Sequence, residues 1–185
     1  MFIETETTPN PATLKFLPGR TVMTQGTANF TDADAATRSP LAQRLFELGG
    51  VTGVFFGADF ITVTKDDAAS WRQLKPVILG AVMEHFTSGQ ALLLNAQAPL
   101  PEASAEDEED DEVVTQIKEL LETRVRPAVA QDGGDIIFEA YADGVVFLQM
   151  HGSCSGCPSS TATLKAGIEN MLRHYIPEVV EVRAV

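Results

Sequence analysis

Residues 136–157 read Ile136-Ile-Phe-Glu-Ala-Tyr-Ala-Asp-Gly-Val-Val-Phe-Leu-Gln-Met-His-Gly-Ser-Cys-Ser-Gly-Cys157, and this stretch decides the carboxy-terminal fold. Ile136 to Tyr141 and Val145 to Met150 are two strand-like runs, and Asp143-Gly144 between them is the strongest short hairpin signal in the chain. Upstream, Ile117, Leu120, Leu121, Val125 and Val129 recur at helical spacing, with Pro127 expected to distort the helix and Gly133-Gly134 to end it. Downstream, Leu164, Ile168, Met171, Leu172 and Tyr175 mark a second amphipathic helix, stopped by Pro177, and Val179 to Val185 can form a last strand. The order is helix, hairpin, helix, strand.

The first half has a similar grammar. Several short strands are expected to open it, among them Thr13 to Leu17 before the turn signal Pro18-Gly19. Ser39-Pro40 reads as the start of a helix carrying Leu41, Leu45 and Leu48, stopped by Gly49-Gly50. A hairpin follows, from Val51 to Phe56 and Phe60 to Thr64 across Gly57-Ala-Asp59. Trp71, Leu74, Ile78, Val82, His85 and Phe86 then form a helical stripe, read as core, with Pro76 a kink or break and Ala91 to Leu94 a closing segment. The fold class is α+β: two small α/β domains, 1–95 and 113–185, joined by an acidic flexible linker, 96–112.

That linker sets the charge of the chain. Eight of the 26 acids lie between Glu102 and Glu112 with no base among them, which leaves 18 acids against 13 bases elsewhere in the 185 residues. Such a run repels itself and stays hydrated as a tether. The net charge of -13 disfavours nucleic acid and anionic membrane surfaces as partners. No window approaches the roughly 18 apolar residues that a membrane span needs. Met1 to Thr7 lacks both the basic, apolar start of a signal peptide and an Arg-rich amphipathic character, so a cytoplasmic location is expected.

Cys154 and Cys157 are the only cysteines, and both lie in one motif, which suits ligation or thiol chemistry better than a disulfide framework. Gly152, Ser153, Ser155 and Gly156 leave room for a bulky inorganic centre. Ser159, Ser160 or Thr161 is expected to cap the next helix, whose positive end favours thiolate. Two sulfurs are half of a tetrahedral set, so other ligands must come from outside the chain, most simply from a second copy. The pair alone leaves four readings open: an iron-sulfur cluster shared by two chains, a shared zinc ion, a disulfide oxidoreductase, and a pair without metal. His151 is read as the end of a strand rather than a third ligand, and no Gly-x-Ser-x-Gly elbow supports a serine nucleophile.

Arg126-Pro127, Asp132-Gly-Gly-Asp135, Gly152-Ser-Cys-Ser-Gly-Cys-Pro-Ser-Ser160, Thr163-Leu-Lys-Ala-Gly-Ile-Glu169 and Ile176-Pro-Glu-Val179 together resemble the NifU-type carboxy-terminal domain of Nfu iron-sulfur carriers. Thr8-Pro-Asn-Pro11, Leu14-Lys-Phe-Leu-Pro-Gly19, Ser39-Pro-Leu-Ala42, Phe55 to Lys65 and Trp71-Arg-Gln-Leu-Lys-Pro76 are similar to the amino-terminal domain paired with it in that family. The resemblance implies a non-enzymatic scaffold and carrier, in which Cys154 and Cys157 of two protomers hold a [4Fe-4S] cluster, with a [2Fe-2S] form left open. It further implies a homodimer, an upstream assembly scaffold as donor and apo iron-sulfur proteins as clients. Asp132, Gly133, Gly134 and Asp135 are assigned a structural role, the chain reversal before the hairpin. Transfer by ligand exchange requires thiolates open to a client's cysteines at the seam between chains.

Overall fold

A computed structural model describes residues 2–94, 112–155 and 158–185. The linker assignment therefore falls outside the described residues except at Glu112, which opens a helix. An acid there suits the partial positive charge of a helix start. The chain divides into two compact units, Met1–Leu100 and Pro101–Val185. Both contain helices and strands, and the fold is α+β.

Unit 1 contains strands β1 (Glu4–Thr7), β2 (Thr13–Leu17) and β3 (Ala28–Phe30), helices α1 (Ala33–Ala36) and α2 (Pro40–Glu47), strands β4 (Val51–Phe56) and β5 (Ile61–Lys65), and helix α3 (Trp71–Ser88). Its antiparallel sheet runs β1-β2-β5-β4-β3. Ser39 caps α2 by accepting the Ala42 N–H at 3.2 Å, with Pro40 in the first turn, where a missing N–H costs nothing. The apolar faces of these elements close on Phe16, Phe30, Leu41, Leu45, Phe56, Ile61, Ile78 and Val82, all fully buried. The Trp71 stripe belongs to this core, with Trp71 and Phe86 at its margin. Pro76 does not break α3, which runs through it, and the closing segment 91–94 is not a strand; the Leu94 N–H instead donates to the Arg38 carbonyl at 2.8 Å.

Unit 2 contains α4 (Glu112–Leu120), a π-helical turn (Leu121–Val125), α5 (Arg126–Gln131), β6 (Gly134–Ala142), β7 (Val145–Gly152), α6 (Pro158–Tyr175) and β8 (Glu181–Ala184). Pro127 explains the π turn. It has no N–H for the carbonyl four residues back and its ring crowds that carbonyl, so the helix widens and the Arg126 N–H reaches Leu121 O instead. Gly133, at φ 81°, ends α5 in the left-handed conformation that glycine adopts without strain.

β6 and β7 are antiparallel through a turn in which Asp143 and Gly144 both have positive φ, 51° and 79°, as a two-residue hairpin of right-handed twist demands. α6 then crosses over the sheet, and β8 pairs parallel to β7 in the order β6-β7-β8. Alternation along β7 sends Val146, Leu148 and Met150 into a core with Ile117, Leu121, Val125, Val129, Ile136, Ile168, Leu172 and Val182. Tyr175, expected in the apolar stripe of α6, is instead 47% exposed and takes the Arg124 guanidinium over its ring at 5.2 Å.

Candidate functional site

The cysteine loop begins at the end of β7, and its described part, Gly152 to Ser155, turns back on the start of β6. Gly152 pairs with Gly134 and His151 with Asp135 in the β6–β7 ladder. Ser153 then makes two bonds to the turn between α5 and β6: its N–H donates to Gly133 O at 3.2 Å and its hydroxyl to Asp132 O at 2.5 Å. On the other side, the Thr161 hydroxyl of α6 donates to Cys154 O at 2.9 Å. Helix α6 starts at Pro158, so Ser159, Ser160 and Thr161 fall within its first turn rather than before it. Gly156 and Cys157 lie outside the described residues.

Cys154 does not stand in solvent. It is 5% exposed and counts among the core residues of unit 2. Burial pushes its thiol up to about 12, with Asp132 and Asp135 adding to the rise and a hydrogen bond with Ser153 opposing it. In the single chain, burial thus disfavours the Cys154 thiolate that a helix start would favour.

Gly134 makes this burial possible. A Cβ on it would overlap the Cys154 sulfur and stand 2.8 Å from His151 O and 3.1 Å from Cys154 N. Its φ is not in the left-handed region, so space rather than backbone freedom requires glycine there. Next to it, the Asp135 carboxylate is 4% exposed and accepts two bonds from Arg126, Nε to Oδ1 at 2.8 Å and Nη2 to Oδ2 at 2.9 Å, plus the Ile136 N–H at 2.8 Å. Arg126 also meets Glu122 on its exposed side, and hydrogen bonds to Asp135 lead the causes that raise the guanidinium above its ordinary value. The Asp132 to Asp135 run makes the chain reversal read from the sequence. That it also houses the sulfur depends on a contact 20 residues away, which no local pattern announces.

His151 is the penultimate residue of β7 and stands on the sheet face opposite the core that takes in Cys154. Burial lowers its pKa against the pull of Asp135. Among the described residues no three His, Cys, Asp or Glu side chains are arranged to hold a metal ion.

Both units match family models. Residues 3–89 match the model described as scaffold protein Nfu/NifU N terminal, and residues 117–183 match the NifU-like domain. NifU-like protein 4, mitochondrial, of Arabidopsis thaliana is 54% identical over 181 residues, covering 97% of this chain and 64% of that protein. The NFU1 iron-sulfur cluster scaffold homolog, mitochondrial, is 54% identical over 187 residues in Drosophila sechellia, covering all of this chain and 65% of that protein. The human protein of that name is 53% identical over 186 residues, with 100% and 72% covered. A solution structure of a NifU-like protein from Saccharomyces cerevisiae aligns at 30% identity with a TM-score of 0.42, covering 51% of this chain and 85% of that chain.

The chain thus spans about two thirds of the length of the plant and fly relatives it matches. These relatives are named mitochondrial, which overturns the expected cytoplasmic location. That expectation leaned on the first seven residues, and the start of this chain carries no such information. Matched in both units and over nearly its whole length, the chain belongs to the Nfu/NifU family, with an Nfu-type amino-terminal region followed by a NifU-like domain.

Proposed function

We propose that this chain is an iron-sulfur cluster scaffold and carrier whose cargo is a [4Fe-4S] cluster, held by Cys154 and Cys157 from each of two copies and passed to apo-proteins. The supporting observation is the ligand count. The chain owns two cysteine thiols, both in the Cys154-x-x-Cys157 loop between β7 and α6, and a Cys₄ set therefore needs a second copy. Membership of a family whose relatives are named iron-sulfur cluster scaffold homologs supports the same reading. In this scheme residues 113–185 carry the cargo, 96–112 is the tether, and 1–95 assists recognition of an upstream donor scaffold or of clients.

Loading has a structural requirement. Cys154 must leave the core and lose its proton before its sulfur can ligate iron, so uptake and opening of the loop are coupled. Release runs the other way, as a client's thiolates replace the chain's own. A role as a thiol-disulfide enzyme fits poorly, because such a nucleophile needs a depressed pKa and an accessible sulfur, and Cys154 has neither. The names of its relatives as scaffolds favour transfer as the role. Membranes have no part in the scheme, and no described helix is long and apolar enough to cross one.

Anaerobic reconstitution tests the proposal. About four iron and four sulfide per dimer are expected, with loss of both in Cys154→Ser and in Cys157→Ser. A [2Fe-2S] form would show about two of each per dimer and a distinct visible spectrum. Protein that stays colourless and iron-free, or holds zinc instead, would overturn it. So would cluster retained by a strict monomer.

A further inference from the structure

We propose that Arg126 and Asp135 are positioning residues for Cys154: their two-point ion pair fixes the start of β6, so that the bare Cα of Gly134 forms the seat on which the Cys154 sulfur rests. The inference adopts the carrier reading only for the identity of the cargo. Its own content is a property of the iron-free protein.

Gly134 is held from both sides. Before it, Gly133 closes α5, its N–H donating to Ala130 O at 3.0 Å and its carbonyl accepting from Ser153. After it, the Asp135 carboxylate is locked by the Nε and Nη2 of Arg126. A planar guanidinium gripping both carboxylate oxygens restricts rotation as well as distance, which a lysine ammonium cannot do. The Arg126 end is itself set by the π turn, because Leu121 O takes its N–H. The backbone of Gly134 therefore has little freedom to drift, and the sulfur above it meets a surface of defined height.

Loss of the fork frees that surface without removing any atom that touches sulfur. Filling the seat by Gly134→Ala pushes the sulfur out directly. Both changes expose Cys154 by local opening of the loop, and neither requires unit 2 to unfold. A merely structural ion pair would instead expose Cys154 only through loss of the whole unit. The two cases differ in how labelling responds to denaturant, since local opening uncovers little surface and global unfolding uncovers much.

The experiment uses the full chain carrying Cys157→Ser, reduced and iron-free, so that iodoacetamide modifies Cys154 alone. In the parent, labelling at pH 8 is expected to be slower by about 100-fold or more than in the urea-unfolded chain. Gly134→Ala and Arg126→Gln are each expected to speed native labelling by about tenfold, with a rate nearly flat in low urea. Arg126→Lys, which keeps charge but not the fork, is expected to fall between parent and Arg126→Gln. Glu122→Gln, which removes only the exposed contact of Arg126, is expected to label at the parent rate.

Parental labelling in Arg126→Gln, or acceleration with the full urea slope of unfolding, would overturn the proposal. Should Gly134→Ala fail to fold, the rank order of Arg126→Lys and Arg126→Gln decides. Protection that behaves as expected in a chain that never takes up iron leaves the seat standing and sinks the carrier reading. Iron uptake with an unprotected Cys154 does the reverse.

Discussion

Unit 1 and unit 2 each fold a helix, a pair of glycines, a hairpin and a loop that returns to the second glycine before the next helix. In unit 1, the Asp66 N–H after the hairpin donates to Gly50 O at 2.9 Å, and a Cβ on Gly50 would meet the Ala69 methyl at 2.7 Å. In unit 2, the Ser153 N–H donates to Gly133 O, and a Cβ on Gly134 would meet the Cys154 sulfur. The glycine seat is thus common construction, and its occupant differs.

Around that occupant the two loops diverge. Unit 1 ties its loop down with its own side chains: Asp66 accepts the Ala69 N–H at 2.7 Å and Ser70 caps α3. Unit 2 relies on bonds from Ser153 and Thr161 to main-chain carbonyls, together with a neighbouring ion pair. A methyl on the seat is inert packing, whereas a thiol is stored chemistry.

The sharpest way to break this comparison is to move the chemistry. Cys154→Ser is expected to abolish iron retention, and adding Ala69→Cys to that variant is expected to restore none, because unit 1 supplies a seat without a second sulfur nearby. Iron measured after anaerobic reconstitution decides, and recovery would mean that the seat alone suffices.

Stability comes next, and the aromatic residues allow each unit to be read separately. The single tryptophan, Trp71, belongs to unit 1, and both tyrosines, Tyr141 and Tyr175, belong to unit 2. Asp135→Ala leaves Arg126 without its buried partner and is expected to cost unit 2 about 3 kcal/mol, near the low end for buried pairs because Arg126 keeps some access to water. Tyrosine fluorescence in a urea titration reads this, while the Trp71 transition stays in place. In unit 1, Gly50→Ala combines a φ of 77° with the clash against Ala69 and is expected to cost about 2 kcal/mol, seen by Trp71 alone.

Near neutral pH the smallest effects are those of pH, and they have opposite signs in the two units. Burial raises the Cys154 thiol, so its contribution is complete below the unfolded thiol value of about 8.5 and is lost as pH climbs towards 12. Unit 2 should therefore weaken in alkali, and Cys154→Ala should flatten that slope. His85 is 3% exposed, and burial together with the Arg44 charge lowers its pKa. Its contribution is complete above about 6.5 and fades as pH falls through the folded value, so unit 1 should weaken in acid, less so in His85→Leu. A common pH profile for both units would contradict this pairing.

Local chemistry made much of the fold legible. Asp143-Gly144 announced its hairpin because positive φ at two successive positions has few solutions, and Pro127 announced the helix distortion because a missing N–H forces the ladder to adjust. Ser39-Pro40 marked a helix start for the same kind of reason. What was not legible shares a different cause. The exposure of Cys154 and Tyr175, and the fate of residues 91–94, depend on partners far along the chain. Cys154 was recognisable as a ligand candidate from its spacing, but its protected state follows from Gly134, and the importance of Arg126 follows from Asp135.

The Asp143-Gly144 turn has a second duty. Gly144 O accepts both the Val180 N–H at 2.7 Å and the Glu181 N–H at 3.2 Å, and a Cβ on Gly144 would strike Val180 and Glu178 O. The last strand hangs from this turn, beside a partner, β7, that precedes it by a whole helix. During synthesis, unit 1 can finish as soon as its own residues emerge. Unit 2 must wait with its sheet one strand short until residues through Ala184 have cleared the ribosome, so a stalled chain would present an open edge along Val145 to Leu148 of β7.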